Sequence, residues 1–169
     1  MGKLICIGGG DNVSKLLLVI DVQKDFINKH TEGTLYKIEE LVNSNQFKNI
    51  VFTKFINDKE SIWYKKLNYY GCMSNDGQRI PINTKVINKR TYSALNEDLK
   101  EYIKTNNIDQ IYLCGFDTDA CIYKTALDLF ENGYEVYVLQ DYCMAHKGKV
   151  LHDIMIQNLK RLIGKEYII

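Results

Sequence analysis

The stretch that decides the fold reads Ile111-Tyr-Leu-Cys-Gly-Phe-Asp-Thr-Asp-Ala-Cys-Ile122. It opens as an apolar run typical of a buried strand, and Gly115 then allows a tight turn. Cys121 follows at the expected start of a helix, where the partial positive charge of the helix terminus favours a thiolate. Because a thiolate is a nucleophile, Cys121 is a candidate catalytic residue. The alternative is a buried structural cysteine, since free cysteines are among the most buried residues.

Further apolar runs of strand length occur on both sides of this stretch. They lie at residues 16–20, 49–53, 111–114 and 135–139, with shorter runs at 86–87 and 167–169. Runs without polar alternation are typical of strands in a parallel sheet that is covered on both faces. We therefore expect a mostly parallel sheet of about six strands.

Apolar residues at helical spacing separate these runs, and we expect them to face the core. They include Leu35, Ile38, Val42, Leu95, Leu99, Tyr102, Ile103, Ile122, Ala126, Leu129, Phe130, Leu151, Met155, Leu159 and Leu162. The alternation predicts an α/β fold: a single-domain, three-layer, doubly wound sheet with helices on both faces. The predicted domain covers residues 16–169, and residues 1–15 are predicted to be a leader or an extra edge segment.

The composition is that of an ordinary globular protein, with 46% hydrophobic and 25% charged residues among 169. A net charge of +1 gives no support to nucleic acid or an anionic membrane as a partner. The five cysteines have irregular spacing, so we expect free thiols. No run has the length of a membrane span, and the first residues lack a signal peptide pattern, so we expect a cytoplasmic protein.

Two charged residues follow predicted strands, at the rim where parallel sheets place their chemistry. Asp21 follows residues 16–20 and is a candidate general base, although an aspartate there also caps turns. Lys89 follows residues 86–87, and its ammonium would hold nearby groups in their charged forms. Its alternative is a solvated surface lysine. Asp21, Lys89 and Cys121 therefore place a carboxylate, an ammonium and a thiol at strand ends of one sheet.

The pattern resembles the isochorismatase-like cysteine hydrolase family. The segments that carry the resemblance are Leu17-Leu-Val-Ile-Asp-Val-Gln-Lys-Asp-Phe26, Lys89-Arg-Thr-Tyr-Ser-Ala94, Cys114-Gly-Phe-Asp-Thr-Asp-Ala-Cys-Ile122 and Gly133-Tyr-Glu-Val-Tyr-Val-Leu-Gln-Asp141. They run in the family's order from about residue 16 to the end of the chain. The domain at 16–169 is therefore expected to be an isochorismatase-like hydrolase domain.

The resemblance implies a catalytic triad of Asp21, Lys89 and Cys121. Cys121 would attack an acyl carbon and form a thioester, Asp21 would serve as general base and acid, and Lys89 would be the electrostatic partner. The resemblance further implies an oxyanion hole from the backbone N–H groups of Asp117 and Cys121, and a cis peptide between Phe116 and Asp117.

The resemblance also implies a substrate pocket and an assembly. Phe26 and Trp63 match positions that line the family's pocket, with ordinary core packing as the alternative for each, and Gln23 is expected to contact the carboxylate site. Members commonly form oligomers, so a homodimer or homotetramer is expected, with a small molecule as the substrate.

One departure from the family bears on metal binding. Nicotinamidases hold a divalent metal with an aspartate and histidines after the second strand, whereas residues 53–64 here contain no histidine. Because a metal site needs converging ligands, we expect no metal and no cofactor. Members that cleave isochorismate do not need the thiol, so the resemblance together with Cys121 implies a hydrolase for a small amide, imide or ureido C–N bond.

Other readings stay open at this point. They are a nicotinamidase or isochorismate-type hydrolase of the same fold, and a non-catalytic protein that binds a metabolite or partner in the same pocket. A nucleotide-binding redox domain would rest on the glycines at 8–10, yet a phosphate-binding glycine loop should open a helix, and here a strand follows.

Overall fold

A computed structural model describes residues 13–82 and 84–169. The strands are β1 Lys15–Ile20, β2 Asn49–Phe55, β3 Lys85–Lys89, β4 Gln110–Gly115 and β5 Glu135–Cys143. The helices are α1 Glu32–Val42, α2 Ile62–Leu67, α3 Glu97–Thr105, α4 Tyr123–Glu131 and α5 Lys149–Ile163. Turns of 3-10 helix cover Lys24–Phe26 and Lys165–Tyr167, and a π-helical turn covers Thr118–Ile122. The predicted alternation of strands and helices is confirmed.

The described strands form one sheet in the order β3-β2-β1-β4-β5, and every pairing is parallel. The chain winds outward from β1 in one direction and from β4 in the other, so the sheet is doubly wound. The sixth strand predicted at 167–169 pairs only through an isolated parallel bridge between Val138 and Ile168. Because β1 and β4 are neighbours, the switch point of the sheet lies between their carboxyl ends, where ligands bind in such folds.

The core is continuous around β1, which is buried on both faces as its apolar sequence predicts. Leu16, Leu17, Leu18, Val19 and Ile20 each have 0% exposure. Helix α1 packs against β4 and β5, and α4 packs against β5 and α5. This packing covers the sheet that presents the last residues of β1 and β4.

The predicted buried faces of the last two helices are wrong in part. Phe130 at the end of α4 is exposed. In α5 the buried residues are His152, Ile156, Leu159 and Ile163, so of the predicted stripe of Leu151, Met155, Leu159 and Leu162 only Leu159 is buried. A polar contact accompanies the inward-facing histidine: Thr118 Oγ1 lies 2.8 Å from His152 Nδ1, and a polar side chain can be buried where such a partner satisfies it.

Gly115 ends β4 at a point of close backbone approach. Its φ is +116°, and a Cβ at this position would lie 2.2 Å from the carbonyl oxygen of Ile20. The N–H of Phe116 donates to that same oxygen at 2.8 Å. Glycine is needed here both for its conformation and for the missing side chain, and the approach brings the segment after β4 against the end of β1.

The predicted leader at 1–15 lies mostly outside the described residues, as do the glycines at 8–10, and β1 begins within it at Lys15. Within the described chain, no helix has the length and apolar character needed to cross a membrane. Cys72, Cys114, Cys121 and Cys143 are free and buried.

Candidate active site

The structure brings Asp21, Lys89 and Cys121 together at the carboxyl end of the sheet. Lys89 Nζ lies 2.6 Å from Asp21 Oδ2, and it donates to Cys121 Sγ at 3.4 Å. The Asp21 and Lys89 side chains are each 1% exposed. A buried charge is costly unless it is paired. Asp21 and Lys89 meet this requirement as a buried ion pair beside Cys121.

Asp21 is held in place by the neighbouring strand. The Thr53 hydroxyl of β2 donates to Asp21 Oδ1 at 2.7 Å and accepts from the Asp21 N–H at 3.1 Å. Asp21 itself has a φ of +48°, an uncommon conformation for a residue other than glycine. These contacts direct the carboxylate into the cluster and fix it there before any ligand binds.

Lys89 reaches the cluster across a strand. Its ammonium lies 5.3 Å from the centroid of the Phe55 ring and also donates to the carbonyl oxygens of Thr91 and Tyr92, at 2.8 and 3.2 Å. Burial lowers the pKa of Lys89, but the adjacent Asp21 charge and the hydrogen-bonding contacts outweigh burial and raise it. Lys89 is therefore an ammonium in the folded protein.

The protonation of Cys121 differs from the sequence prediction. Burial raises the pKa of the Cys121 thiol well above its usual range, and the Asp21 charge raises it further, against the lowering by Lys89. The prediction of a depressed pKa from the helix terminus was wrong, because Cys121 lies within the π-helical turn and is 7% exposed. The resting group is a thiol beside a carboxylate.

The turn before Cys121 contains the expected backbone feature. The peptide bond between Phe116 and Asp117 is cis. The carbonyl of Asp117 accepts from the N–H groups of Ala120 and Ile122, at 3.1 and 3.0 Å. The turn therefore folds back on Asp117, and it brings the backbone of Asp117 close to that of Cys121.

A cavity of about 350 Å³ opens beside Cys121. One part of its wall is apolar and aromatic, and another part carries charged side chains. The residues that line it are Asp25, Phe26, Phe55, Trp63, Leu67, Tyr69, Tyr92, Asp117, Asp119, Ala120, Cys121, His146 and Lys147. Such a mostly apolar cavity with a few placed polar groups is typical of small-molecule sites.

The predicted pocket residues divide into two groups. Phe26 and Trp63 line the cavity, and Trp63 packs edge-on against Phe55 and Tyr92. Gln23 is fully buried and is not among the lining residues. Its amide instead joins the backbone of Phe55, with Oε1 accepting from N at 2.7 Å and Nε2 donating to O at 3.0 Å. The structure therefore gives Gln23 a scaffolding contact.

Several polar side-chain contacts at the site were missed by the sequence analysis, which named Asp117 only for its backbone. Asp117 accepts hydrogen bonds from His146, and Asp119 has a buried oxygen, Oδ1, with no hydrogen-bond partner among the described residues. Asp119 lies two positions before Cys121, which is a signal that could have marked it. His146 comes from the loop after β5, and nothing in its local sequence indicates the contact.

No group of three or more His, Cys, Asp or Glu residues in the described part of the chain is arranged to hold a metal ion. The acidic side chains after β2 are engaged elsewhere: Asp58 pairs with Arg90, and Glu60 pairs with Lys65. Asn57 is buried and donates to the carbonyl oxygens of Tyr69 and Gly71. This segment does not fit a metal centre.

A doubly wound sheet with buried polar residues at the carboxyl ends of its strands is typical of α/β enzymes. Asp21, Lys89 and Cys121 occupy that position here, and comparisons with known proteins assign the family. An Isochorismatase domain matches residues 15–166. The chain belongs to the isochorismatase family and is a hydrolase.

Individual relatives agree with this assignment. The chain is 31% identical over 146 residues to isochorismatase family protein 2A of Dictyostelium discoideum, covering 80% of this chain and 68% of that protein. It is 24% identical over 189 residues to the nicotinamidase of Saccharomyces cerevisiae, covering 76% of this chain and 87% of that protein. Matches to some other relatives are local, spanning 27% or 33% of their length.

A solved structure shares the fold. The pyrazinamidase of Pyrococcus horikoshii, solved in complex with zinc, superposes with a TM-score of 0.79 at 22% identity, covering 92% of this chain and 97% of that chain. At this level of identity the likeness concerns the fold, and it covers most of both chains.

Proposed function

We propose that this protein is a metal-independent cysteine hydrolase that cleaves a small amide, imide or ureido C–N bond through a thioester on Cys121. The observation that carries the proposal is the contact of Lys89 Nζ with both Asp21 Oδ2 and Cys121 Sγ, at 2.6 and 3.4 Å, beside a cavity. A thiol with a carboxylate and an ammonium within reach has a base for its proton and a cation for its developing charge.

The first half of the reaction follows from the resting protonation states. Asp21 takes the proton of the Cys121 thiol while Sγ attacks the acyl carbon, and the carbonyl oxygen becomes an oxyanion. Asp21 then gives that proton to the leaving nitrogen as the C–N bond breaks, which leaves a thioester on Cys121 and releases ammonia or an amine. Lys89 stays charged throughout and stabilises the negative charge that moves between Asp21 and Cys121.

The second half regenerates the enzyme. Asp21 removes a proton from water, the water oxygen attacks the thioester carbon, and the collapsing intermediate expels Cys121 sulfur, which takes the proton back from Asp21. The products are a carboxylic or carbamic acid and the free thiol. Asp21 therefore serves first as a base and then as an acid in each half of the reaction.

The proposed oxyanion hole consists of the backbone N–H groups of Asp117 and Cys121. Support comes from the turn geometry, because the hydrogen bonds of Ala120 and Ile122 to the Asp117 carbonyl hold both residues in one compact turn. Preorganised N–H donors of this kind contribute about 3–4 kcal/mol of transition-state stabilisation each. The pocket that Phe26 and Trp63 line would hold the rest of the substrate.

Ammonia release from a panel of small amides, ureides and carbamoyl compounds tests the proposal. We expect turnover of at least one compound by the wild-type protein and its loss in Cys121→Ala. A Cys121→Ala protein that retains wild-type turnover would disprove the role of the thiol. Self-association into a homodimer or homotetramer stays a prediction from the family resemblance.

A further inference from the structure

His146 is the one histidine among the residues that line the cavity beside Cys121 in the described chain. A single carboxylate holds it at two points: its backbone N–H donates to Asp117 Oδ1 at 2.8 Å, and its ring Nδ1 bonds to Asp117 Oδ2. The Asn28 side chain also donates to the His146 carbonyl at 2.9 Å. Backbone and ring are thus fixed together, so the imidazole has a defined orientation in the cavity wall.

The bond to Asp117 determines what the other ring nitrogen does. A carboxylate accepts hydrogen bonds, so Nδ1 carries a proton and Nε2 is the position that gains or loses one. No residue in the described chain bonds to Nε2, and the side chain is 40% exposed. Nε2 is therefore available to a molecule in the cavity.

The charges around His146 favour its protonated form. The hydrogen bond that His146 donates to Asp117 raises the pKa of His146 above its ordinary 6.5, Asp119 acts in the same direction, and burial and Lys147 oppose them. The His30 ring lies against Gly148, two positions after His146. A protonated imidazole donates from Nε2, so the wall presents a hydrogen-bond donor to the cavity.

The other charged groups at the cavity are less suited to this task. Asp25 Oδ2 already accepts from the Cys72 N–H at 2.6 Å, and Lys89 is committed to Asp21 and Cys121. Lys147 is exposed, so its ammonium is solvated. The aromatic residues of the wall offer mainly apolar surface. Among these charged groups, His146 is thus the hydrogen-bond donor whose orientation is fixed, through its contacts with Asp117.

We propose that His146, oriented by Asp117, recognises the substrate by donating a hydrogen bond from Nε2 to an oxygen other than that of the scissile carbonyl. This inference rests on the proposed hydrolase function and narrows its substrate class. The preferred substrates are small amides that carry a second carbonyl or carboxylate oxygen. Asp117 is a positioning residue in this scheme, since its side chain acts through the imidazole.

Proton NMR of the imidazoles tests the inference directly, because the chain has only three histidines. The Cys121→Ala protein is titrated with succinamide, succinamate and butanamide, which share a carbon chain and differ in the second oxygen. We expect succinamide and succinamate to shift the His146 resonances and butanamide to leave them unchanged, with His30 and His152 as internal references. Stronger binding of succinamate than of succinamide would identify a carboxylate as the preferred acceptor, and equal binding would identify a carbonyl.

Two variants give measurements that distinguish substrate recognition by His146 from a purely structural role. Asp117→Asn should return the pKa of His146 toward 6.5. His146→Gln should weaken binding of succinamide and succinamate by roughly tenfold or more, with butanamide unaffected. The same selectivity should appear in KM rather than in kcat, and binding of succinamate should weaken as the pH rises through the pKa of His146.

The results of these experiments distinguish the recognition role of His146 from the cysteine mechanism of the proposed function. A His146 resonance that none of the probes shifts at millimolar concentration, or that butanamide shifts equally, would overturn the inference even if a thioester forms on Cys121. If succinamide or succinamate shifts His146 while Cys121→Ala retains turnover, the recognition role stands and the cysteine mechanism fails.

Discussion

Lys89 Nζ lies 2.6 Å from Asp21 Oδ2 although the two residues belong to strands that are not neighbours. Lys89 ends β3 at the edge of the sheet, Asp21 follows β1, and β2 lies between them. The lysine side chain spans this gap over the Phe55 ring of β2. The pair thus ties the edge of the sheet to its centre while it supplies charge to Cys121.

Removing one member of this pair should destabilise the protein more than removing both. Asp21→Asn or Lys89→Met alone leaves a buried charge without its partner, and such losses cost about 3–5 kcal/mol. The double variant leaves no unpaired charge, so its free energy of unfolding should recover part of the loss. Urea unfolding of the single and double variants measures this coupling, and strictly additive losses would show that the two groups do not interact.

The pH dependence of Cys121 alkylation should shift to lower pH when Asp21 loses its charge. Burial raises the pKa of Cys121 first and the Asp21 charge raises it second, so the thiolate is scarce at neutral pH and appears only at alkaline pH. Alkylation by iodoacetamide should therefore be slow near pH 7 and accelerate with rising pH. In folded Asp21→Asn the profile should move to lower pH, because one of the charges opposing the thiolate is gone.

Peptide mapping of alkylated protein across a pH series measures this profile. Asp58→Asn is a matched control, since Asp58 sits in an exposed ion pair with Arg90 near the same end of the sheet. An unchanged profile in Asp21→Asn, or an equal change in Asp58→Asn, would contradict the contact between Asp21 and the thiol.

Gly115 should tolerate no side chain, whereas Gly133 should tolerate one at moderate cost. Both have a positive φ, +116° and +78°, but a Cβ at Gly115 would lie 2.2 Å from the Ile20 carbonyl and one at Gly133 would meet nothing within 4 Å. Gly133→Ala should lower the free energy of unfolding by about 1–2 kcal/mol. Gly115→Ala should lower it by more, or prevent folding, since the carbonyl of a fully buried strand must move. Equal losses in the two variants would refute the close approach.

Activity should survive chelation, and nicotinamide should be a poor substrate. The acidic residues after β2 are committed to ion pairs: Asp58 to Arg90, Glu60 to Lys65 and Asp76 to Lys24. Without a metal to hold the pyridine ring, the carboxamide would reach Cys121 poorly oriented, and misplacement by about 1 Å costs on the order of a hundredfold. Elemental analysis and nicotinamide turnover with and without EDTA check this. Stoichiometric zinc, iron or manganese with EDTA-sensitive turnover would contradict it.

The sequence predicted those features that depend on where strands end. Asp21, Lys89 and Cys121 each follow or end an apolar run, and parallel strands bring their carboxyl ends to one rim. The sequence could not show that Lys89 crosses β2 or that the thiol is too buried for a depressed pKa, because both depend on packing between distant segments. The inward face of His152 and the contact of His146 with Asp117 were missed for the same reason: a polar residue becomes buried only when a tertiary partner satisfies it.

Mass spectrometry of protein quenched with acid during turnover can detect the thioester on Cys121. With a substrate from the amide panel, we expect a mass increase equal to the acyl group less the thiol hydrogen that it replaces, located on the peptide that contains Cys121 and absent in Cys121→Ala. The acid quench stops deacylation and preserves the thioester, which alkaline conditions would hydrolyse. Sustained wild-type turnover with no adduct on Cys121, together with an active Cys121→Ala protein, would contradict the account.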